Sequence, residues 1–212
     1  MEIPGSPLQA GAMKTPASLP WVLWMASASC SAQTLVIGLY DYSDLSAKET
    51  IRLTETADLA FAHSGIHVVW RHCRGALAAV PGTKCEAEMQ INEIVVRLQP
   101  GGPRSSDDGR TLHLGHSIVT ADGGYYASVF VPAVRAQAAG FGLAFDLVMG
   151  YAVAHEVGHC LLGPRHSYAG LMRGAWSRKD ASEMSRLSLN LTKQEARKAV
   201  ARLTLAHAAA QR

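Results

Sequence analysis

The 212-residue chain has little net charge, because 20 basic residues against 17 acidic ones leave +3 with histidine neutral. So small an excess does not favour nucleic acid binding, and no stripe of aromatic and basic residues typical of RNA-binding proteins is visible. The sequence also contains no internal repeat and no strong interdomain linker. Since 48% of the residues are hydrophobic and 17% are charged, the composition is typical of a globular protein, and the length favours one domain.

No stretch of the sequence is suited to cross a membrane. Near the N-terminus, Lys14 precedes a short apolar run that is followed by small residues up to Ala32. This order is typical of a signal peptide, and the run is too short for a transmembrane helix. We therefore predict that residues 1–32 are a signal peptide, cleaved after Ala28 or Ala32. A flexible N-terminal tail is the alternative.

Cysteine is scarce, with four residues in the whole chain. Cys30 lies in the predicted signal peptide, where a lipid anchor is an alternative that Ser27 disfavours, because leucine usually stands there. Cys73 and Cys85 flank a short loop and could form a disulfide in an oxidising compartment. Cys160 would then remain a buried free thiol. We expect the mature chain, residues 33–212, to be a single secreted or periplasmic domain without a membrane span.

The most informative motif is H-E-V-G-H at residues 155–159, within an apolar stretch over residues 143–162 that is typical of a buried helix. On a helix, His155 and His159 are one turn apart on the same face, so both imidazoles can bind one metal ion. Buried polar groups without partners cost roughly 2–7 kcal/mol each, and a metal provides the partner. The motif therefore predicts a metal site with Glu156 beside it.

The residues after the motif favour a sharp bend. Gly163 can end the helix in a left-handed cap, and Pro164 prevents its continuation. The bend could return His166 to the other two histidines as a third ligand. A solvated His166 is the alternative. Asp180 or Glu183 is the rival third ligand, although we expect both acidic residues to be exposed to solvent.

This segment resembles the zincin metalloproteases, and especially the metzincins, whose pattern is H-E-x-x-H-x-x-G-x-x-H followed by a methionine turn. Here the motifs are H-E-V-G-H-C-L-L-G-P-R-H and G-L-M, with Gly163 and His166 each one residue late, and the resemblance covers about residues 143–176. The resemblance implies Zn²⁺ bound by His155, His159 and His166, Glu156 as the general base, and Met172 beneath the metal. The chain is also similar to small exported bacterial proteins that carry H-E-x-G-H-x-L-L-G.

The rest of the sequence predicts a scaffold for this helix. Capping boxes at Ser46 and Thr192 each begin a helix. Loop-forming residues dominate 99–112, and the residues that follow indicate a hairpin. The predicted strands are residues 34–40, 66–70, 93–98, 114–119 and 125–131. The order favours an α+β, zincin-like fold in which a mixed β-sheet packs on the buried active-site helix.

These features predict zinc-dependent hydrolysis of peptide bonds, with metal-activated water and Glu156 as the base, by a metalloendopeptidase acting on peptides or proteins. In the family, an edge strand of the sheet pairs with the extended substrate. One alternative is an exported zinc-binding protein without turnover, which the shift of Gly163 and His166 motivates. Another is a hydrolase of a non-peptide amide. His113 and His116, three apart in a predicted strand, should point to opposite faces, which favours structural or surface roles.

Overall fold

The computed structural model describes Met1, residues 33–78, Cys85, and residues 92–102, 112–120 and 123–210. The predicted signal peptide and the alternative anchor at Cys30 lie outside the described residues, apart from Met1, and both stay predictions. Among the helices that are described, none combines the length and the apolar character that a bilayer span requires.

The described elements alternate between strands and helices. In chain order they are β1 (Gln33–Asp41), α1 (Ala47–Ala62), β2 (Ile66–Arg74), β3 (Glu93–Gln99), β4 (Gly115–Thr120), β5 (Gly123–Phe130), α2 (Val131–Phe141), α3 (Phe145–Leu162), α4 (Arg178–Ser185) and α5 (Lys193–Ala210). The expected strands and the three expected helices are present, with ends shifted by a few residues. The sequence did not predict α2 and α4.

One mixed five-stranded sheet organises these elements, in the order β2-β1-β3-β5-β4. β1 pairs in parallel with β2 and β3, and β3 pairs in parallel with β5. β4 pairs antiparallel with β5, so the predicted hairpin and the mixed sheet are confirmed. The order places β4 at an edge, and α3 contacts both β4 and β5.

The core lies between one face of the sheet and the helices α1 and α3. Leu35, Ile37 and Leu39 alternate along β1 and are fully buried, as expected where one face of a strand meets the core. Burial of each such side chain contributes roughly 1.5–3 kcal/mol. α1 begins with the predicted capping box, in which the Glu49 N–H donates to Ser46 Oγ and the Ser46 N–H donates to Glu49 Oε2.

Helix α3 is the centre of the molecule, and every residue from Val148 to Leu161 is buried. It can approach α1 closely because a Cβ added at Gly150 would lie 2.5 Å from the backbone oxygen of Leu53. A side chain at this position would push the two helices apart. The predicted buried helix over residues 143–162 is confirmed, with α3 beginning at Phe145.

The cysteines are arranged as predicted. Cys73, at the end of β2, forms a disulfide with Cys85, and the two Cα atoms are 5.4 Å apart. Tyr40 Oη donates a hydrogen bond to the backbone oxygen of Cys85. In the chain-entropy treatment, closing a loop of this length stabilises the fold by roughly 3 kcal/mol. Cys160 is free and buried.

Candidate metal centre

Two histidines project from the same face of α3. His155 is 9% exposed and His159 is 7% exposed, and their Nε2 atoms are 3.1 Å apart. The spacing of four residues brings the rings one helical turn apart, which is what the motif predicts. The structure therefore brings the two nitrogens together on a turn that is fixed by the core.

Backbone carbonyls orient both rings. His155 Nδ1 donates to the Leu171 oxygen at 2.8 Å, and His159 Nδ1 donates to the Gly163 oxygen at 3.0 Å. Since a carbonyl only accepts, each Nδ1 carries the proton, and a neutral ring presents a lone pair at Nε2. Burial lowers the pKa of His155 to about 4 and also lowers the pKa of His159, which favours the neutral rings that a metal requires.

The bend after α3 brings the third histidine back toward the first two. The helix ends at Gly163, as predicted, but this residue has φ 98° and ψ −178°, so it is not in the left-handed helical region that we expected. That conformation is essentially confined to glycine. The Ser167 N–H then donates to the Met172 oxygen, which folds the bend back on itself. His166 Nε2 lies 3.2 Å from His159 Nε2, although its ring is exposed.

The three histidines fit a tetrahedral metal ion. Nitrogen ligands held about 2.0–2.1 Å from Zn²⁺ in a tetrahedral arrangement are about 3.3–3.4 Å apart. The His155–His159 and His159–His166 separations of 3.1 and 3.2 Å are close to that value, and the ligand atoms of all three residues lie within 4.8 Å of one another. The lone pairs of two neutral rings repel each other at such distances, and a cation between them removes the repulsion. Among the described residues, His155, His159 and His166 are the group that could hold a metal ion.

Glu156 lies beside this cluster with 6% of its surface exposed. Burial raises the pKa of its carboxyl to about 7, and a hydrogen bond from Ser117 acts in the opposite direction. Ser117 Oγ is 2.7 Å from Glu156 Oε2 and 2.8 Å from the Glu156 backbone oxygen. The edge strand β4 therefore contacts the acidic residue of the motif directly.

Ser117 and Gly115 are site residues that sequence reasoning missed. Both lie on β4, two residues apart, and so on the same face of the strand. A Cβ at Gly115 would lie 2.7 Å from Glu156 Cγ and 2.4 Å from the Ser128 backbone oxygen, so only glycine leaves room for the Glu156 side chain. The alternation in G-H-S does predict that Gly115 and Ser117 share one face of a strand. It identifies them as site residues only when the packing of this strand on α3 is known.

Met172 lies beneath the turn of α3 that carries the cluster. It is 1% exposed, and a Cβ added at Gly158 would be 2.4 Å from its Sδ. The ring of Trp176 meets His155 edge-on, with centroids 5.6 Å apart, and its Nε1 donates to the Leu171 oxygen that also accepts from His155. The segment after the bend thus packs under and around the histidines.

The alternative acidic ligands lie elsewhere. Asp180 accepts from the Ser177 N–H and hydroxyl at 2.6 and 2.7 Å and caps α4. It is 2% exposed, so the expected solvent exposure was wrong: this carboxylate is buried because it caps a helix and pairs with Arg173. Glu183 is half-buried on α4 and does not belong to the histidine cluster.

A cleft with a volume of about 380 Å³ opens in front of the histidines. Its lining comes from β4 and the segment before it, from α3, and from the bend. His113 and His116 both line it, whereas we expected opposite faces. β4 begins only at Gly115, so the strand alternation does not extend to His113.

These features define a zincin-like fold: a mixed sheet against a buried helix that carries the histidine pair, with an edge strand beside the cleft. Among solved structures, the chain is similar to archaemetzincin from Methanopyrus kandleri, with a TM-score of 0.53 and 14% sequence identity. The match covers 85% of this chain and 99% of that chain. At this identity the likeness concerns the fold alone. No protein-family model and no curated protein matches the sequence.

Proposed function

We propose that this protein is an exported zinc-dependent peptidase, most simply a metalloendopeptidase, in which Glu156 is the general base. The observation that carries the proposal is the convergence of three imidazole Nε2 atoms, 3.1 and 3.2 Å apart, beside a buried carboxylate. His155, His159 and His166 would hold the ion. A bound Zn²⁺ supplies Lewis acidity at a substrate carbonyl and lowers the pKa of water.

Glu156 is placed to move protons. It is adjacent to His155 in sequence, lines the cleft, and accepts a hydrogen bond at Oε2 from Ser117. Its carboxylate takes the proton of the attacking water and passes it to the leaving amine. Because α3 fixes its backbone and β4 contacts its side chain, the base needs no large movement to act.

The edge strand favours an extended peptide as the substrate. β4 pairs with β5 on one side, and within the described sheet it is the terminal strand on the other. Residues from His113 to Ser117 also line the cleft. A peptide that adds to this edge would place a backbone carbonyl beside the histidines, with main-chain hydrogen bonds providing affinity.

Export is supported by the disulfide between Cys73 and Cys85, because such bonds persist in oxidising compartments. It agrees with the predicted signal peptide over residues 1–32. N-terminal sequencing of the protein recovered outside the cytoplasm should place the new terminus at Ser29 or Gln33. An intact N-terminus would contradict the cleavage.

The alternative, zinc binding without turnover, was motivated by the late positions of Gly163 and His166. The bend absorbs the additional residue, since His166 Nε2 still lies 3.2 Å from His159 Nε2. That motivation is therefore weaker. We keep this alternative, and hydrolysis of a non-peptide amide, as outcomes of the test below.

The test combines cleavage of an unfolded protein substrate with metal analysis. We expect cleavage that is lost on chelation and restored by Zn²⁺, with internal cut sites in the product mass spectra. Glu156→Gln should lower the rate by about 10²–10⁴-fold with zinc still bound. Glu183→Gln, the same substitution on α4 away from the cluster, is the matched control and should behave like the parent.

Each other outcome has a distinct meaning. Stoichiometric zinc with no cleavage of any peptide would favour the binding protein, or the non-peptide hydrolase if an amide substrate is turned over. A Glu156→Gln protein as active as the parent would end the assignment of the base. Loss of activity in Glu183→Gln would favour Glu183 as the third metal ligand.

A further inference from the structure

Given the function proposed above, we propose that Ser117 is a positioning residue for the general base: its hydroxyl holds the Glu156 carboxylate in one orientation toward the cleft. The contact joins residues 39 apart in sequence, one on the edge strand and one on the central helix. Ser117 does not belong to the H-E-x-x-H motif, and its proposed effect on the chemistry acts through Glu156.

The hydroxyl has two acceptors on the same residue. Ser117 Oγ lies 2.7 Å from Glu156 Oε2 and 2.8 Å from the Glu156 backbone oxygen. A hydroxyl has one proton, and an ionised carboxylate is the stronger acceptor. Ser117 therefore donates to Oε2. The short distance to the Glu156 backbone oxygen shows that β4 packs directly on this turn of α3.

Glu156 packs closely against β4, because a Cβ at Gly115 would lie 2.7 Å from its Cγ. This close approach places the carbon chain, whereas a hydrogen bond is needed to fix the orientation of the carboxylate. The bond from Ser117 is the one that the carboxylate accepts within the described residues. A glutamate has several rotatable bonds, and a base must lie about 2.6–3.2 Å from the proton it takes. Fixing Oε2 leaves Oε1 for the attacking water.

The anchor, Ser117, is part of the sheet. Ser117 lies opposite Ala127 in the β4–β5 ladder, and Ala127 is fully buried. Gly115 and Ser117 alternate with the exposed His116, so the face of β4 that meets α3 carries first a glycine that leaves room for Glu156 and then a donor. The strand that would bind the substrate is therefore also the strand that orients the base.

Three variants test this role against simple packing. Ser117→Ala removes the donor, Ser117→Thr keeps it, and Ser185→Ala is the same change on the exposed end of α4. Because a misplacement of 1 Å can cost about 100-fold, we expect Ser117→Ala to lower kcat about 10- to 100-fold, with KM and zinc content nearly unchanged. Ser117→Thr should restore most of the rate, and Ser185→Ala should match the parent.

A readout independent of turnover separates this inference from the proposed function. The carboxyl infrared bands of Glu156 can be assigned by subtracting the spectrum of the Glu156→Gln protein. We expect Ser117→Ala to shift these bands and Ser117→Thr to leave them in place. If the parent hydrolyses nothing, the proposed function fails, and the infrared comparison alone decides whether Ser117 holds Glu156.

Two results would overturn the positioning role. One is a Ser117→Ala protein with unchanged kcat and unshifted bands, in a chain where Glu156→Gln abolishes activity. The other is an equal loss of rate in Ser117→Thr with the infrared bands in place, because the bond from the hydroxyl would then be kept without keeping the rate. Both leave the peptidase proposal standing.

Discussion

The three converging histidines are held by two very different parts of the molecule. His155 and His159 project from α3, where every residue from Val148 to Leu161 is buried, and a carbonyl holds each Nδ1 at 2.8 or 3.0 Å. His166 lies on an exposed bend, where its Nε2 is 3.2 Å from His159 Nε2. The helix pair is fixed by the core, whereas the third ring is placed by a surface turn.

This difference explains which spacing in the motif can change. An insertion between His155 and His159 would rotate one ring by about 100° around the helix and destroy the pair. An added residue in the bend is absorbed, because Gly163 turns the chain and Ser167 bonds back to Met172. The rigid pair should therefore contribute more to metal affinity than the exposed ring.

The largest expected effect is that of His159→Ala. It removes a buried ligand that is already oriented, so the affinity for Zn²⁺ should fall by more than the roughly 100-fold that loss of an outer hydrogen-bond partner costs. Competition with a chromogenic chelator measures the change. His207→Ala, the same substitution on α5, should bind zinc like the parent. Retention of full affinity in His159→Ala would place the metal elsewhere.

His166→Ala should have a smaller effect and lower the Zn²⁺ affinity by about 10- to 100-fold. This is the range found when a residue that hydrogen-bonds a metal ligand is lost. Its ring is exposed, so water can take its place, and little preorganisation is lost. The same chelator competition compares the two variants. An equal loss of Zn²⁺ affinity in His166→Ala and His159→Ala would mean that the bend positions its ring as well as the helix does. The proposed difference between the helix pair and the third histidine would then be wrong.

The same contrast shows how far sequence could predict the site. Residues 155–159 are in place because helical periodicity is local, and one turn of α3 is sufficient to bring two rings together. The return of His166 was a hypothesis from the bend at Gly163 and Pro164 and from the resemblance, and the structure brings this residue to the pair. Ser117 could not be predicted, because its contact spans 39 positions and depends on how β4 lies over α3.

Elements were predicted where their signal is local. The capping boxes at Ser46 and Thr192 begin helices in the structure. α2 was missed because it begins at Val131, directly after β5, so an apolar run covers both elements. α4 was missed because it is short and polar, although Ser177 and Asp180 form a capping box at its start. The strand order is set by the tertiary fold, and no local pattern specifies it.

Gly158→Ala should lower the stability of the protein, because the substitution lies on the buried side of the site. Its Cβ would lie 2.4 Å from Met172 Sδ, and Met172 is 1% exposed, so the methionine has little room to move. Overpacking of this kind lowers the free energy of unfolding by about 1–3 kcal/mol. Denaturant unfolding of the metal-free protein measures it. Gly140→Ala on α2, where the added Cβ meets nothing within 4 Å, is the matched control and should not destabilise.

Gly174→Ala tests the exposed side with the same chemical change and should have the smallest effect. Its Cβ would lie 3.0 Å from His166 Cγ, a contact that the exposed ring can relieve by a small shift. The free energy of unfolding should change by less than about 0.5 kcal/mol, as at most surface positions. Zinc affinity should fall by less than tenfold, which corresponds to about 1.4 kcal/mol. A loss of stability equal to that of Gly158→Ala would mean that the bend is packed as tightly as the helix. His166 would then be held by the fold as firmly as His155 and His159.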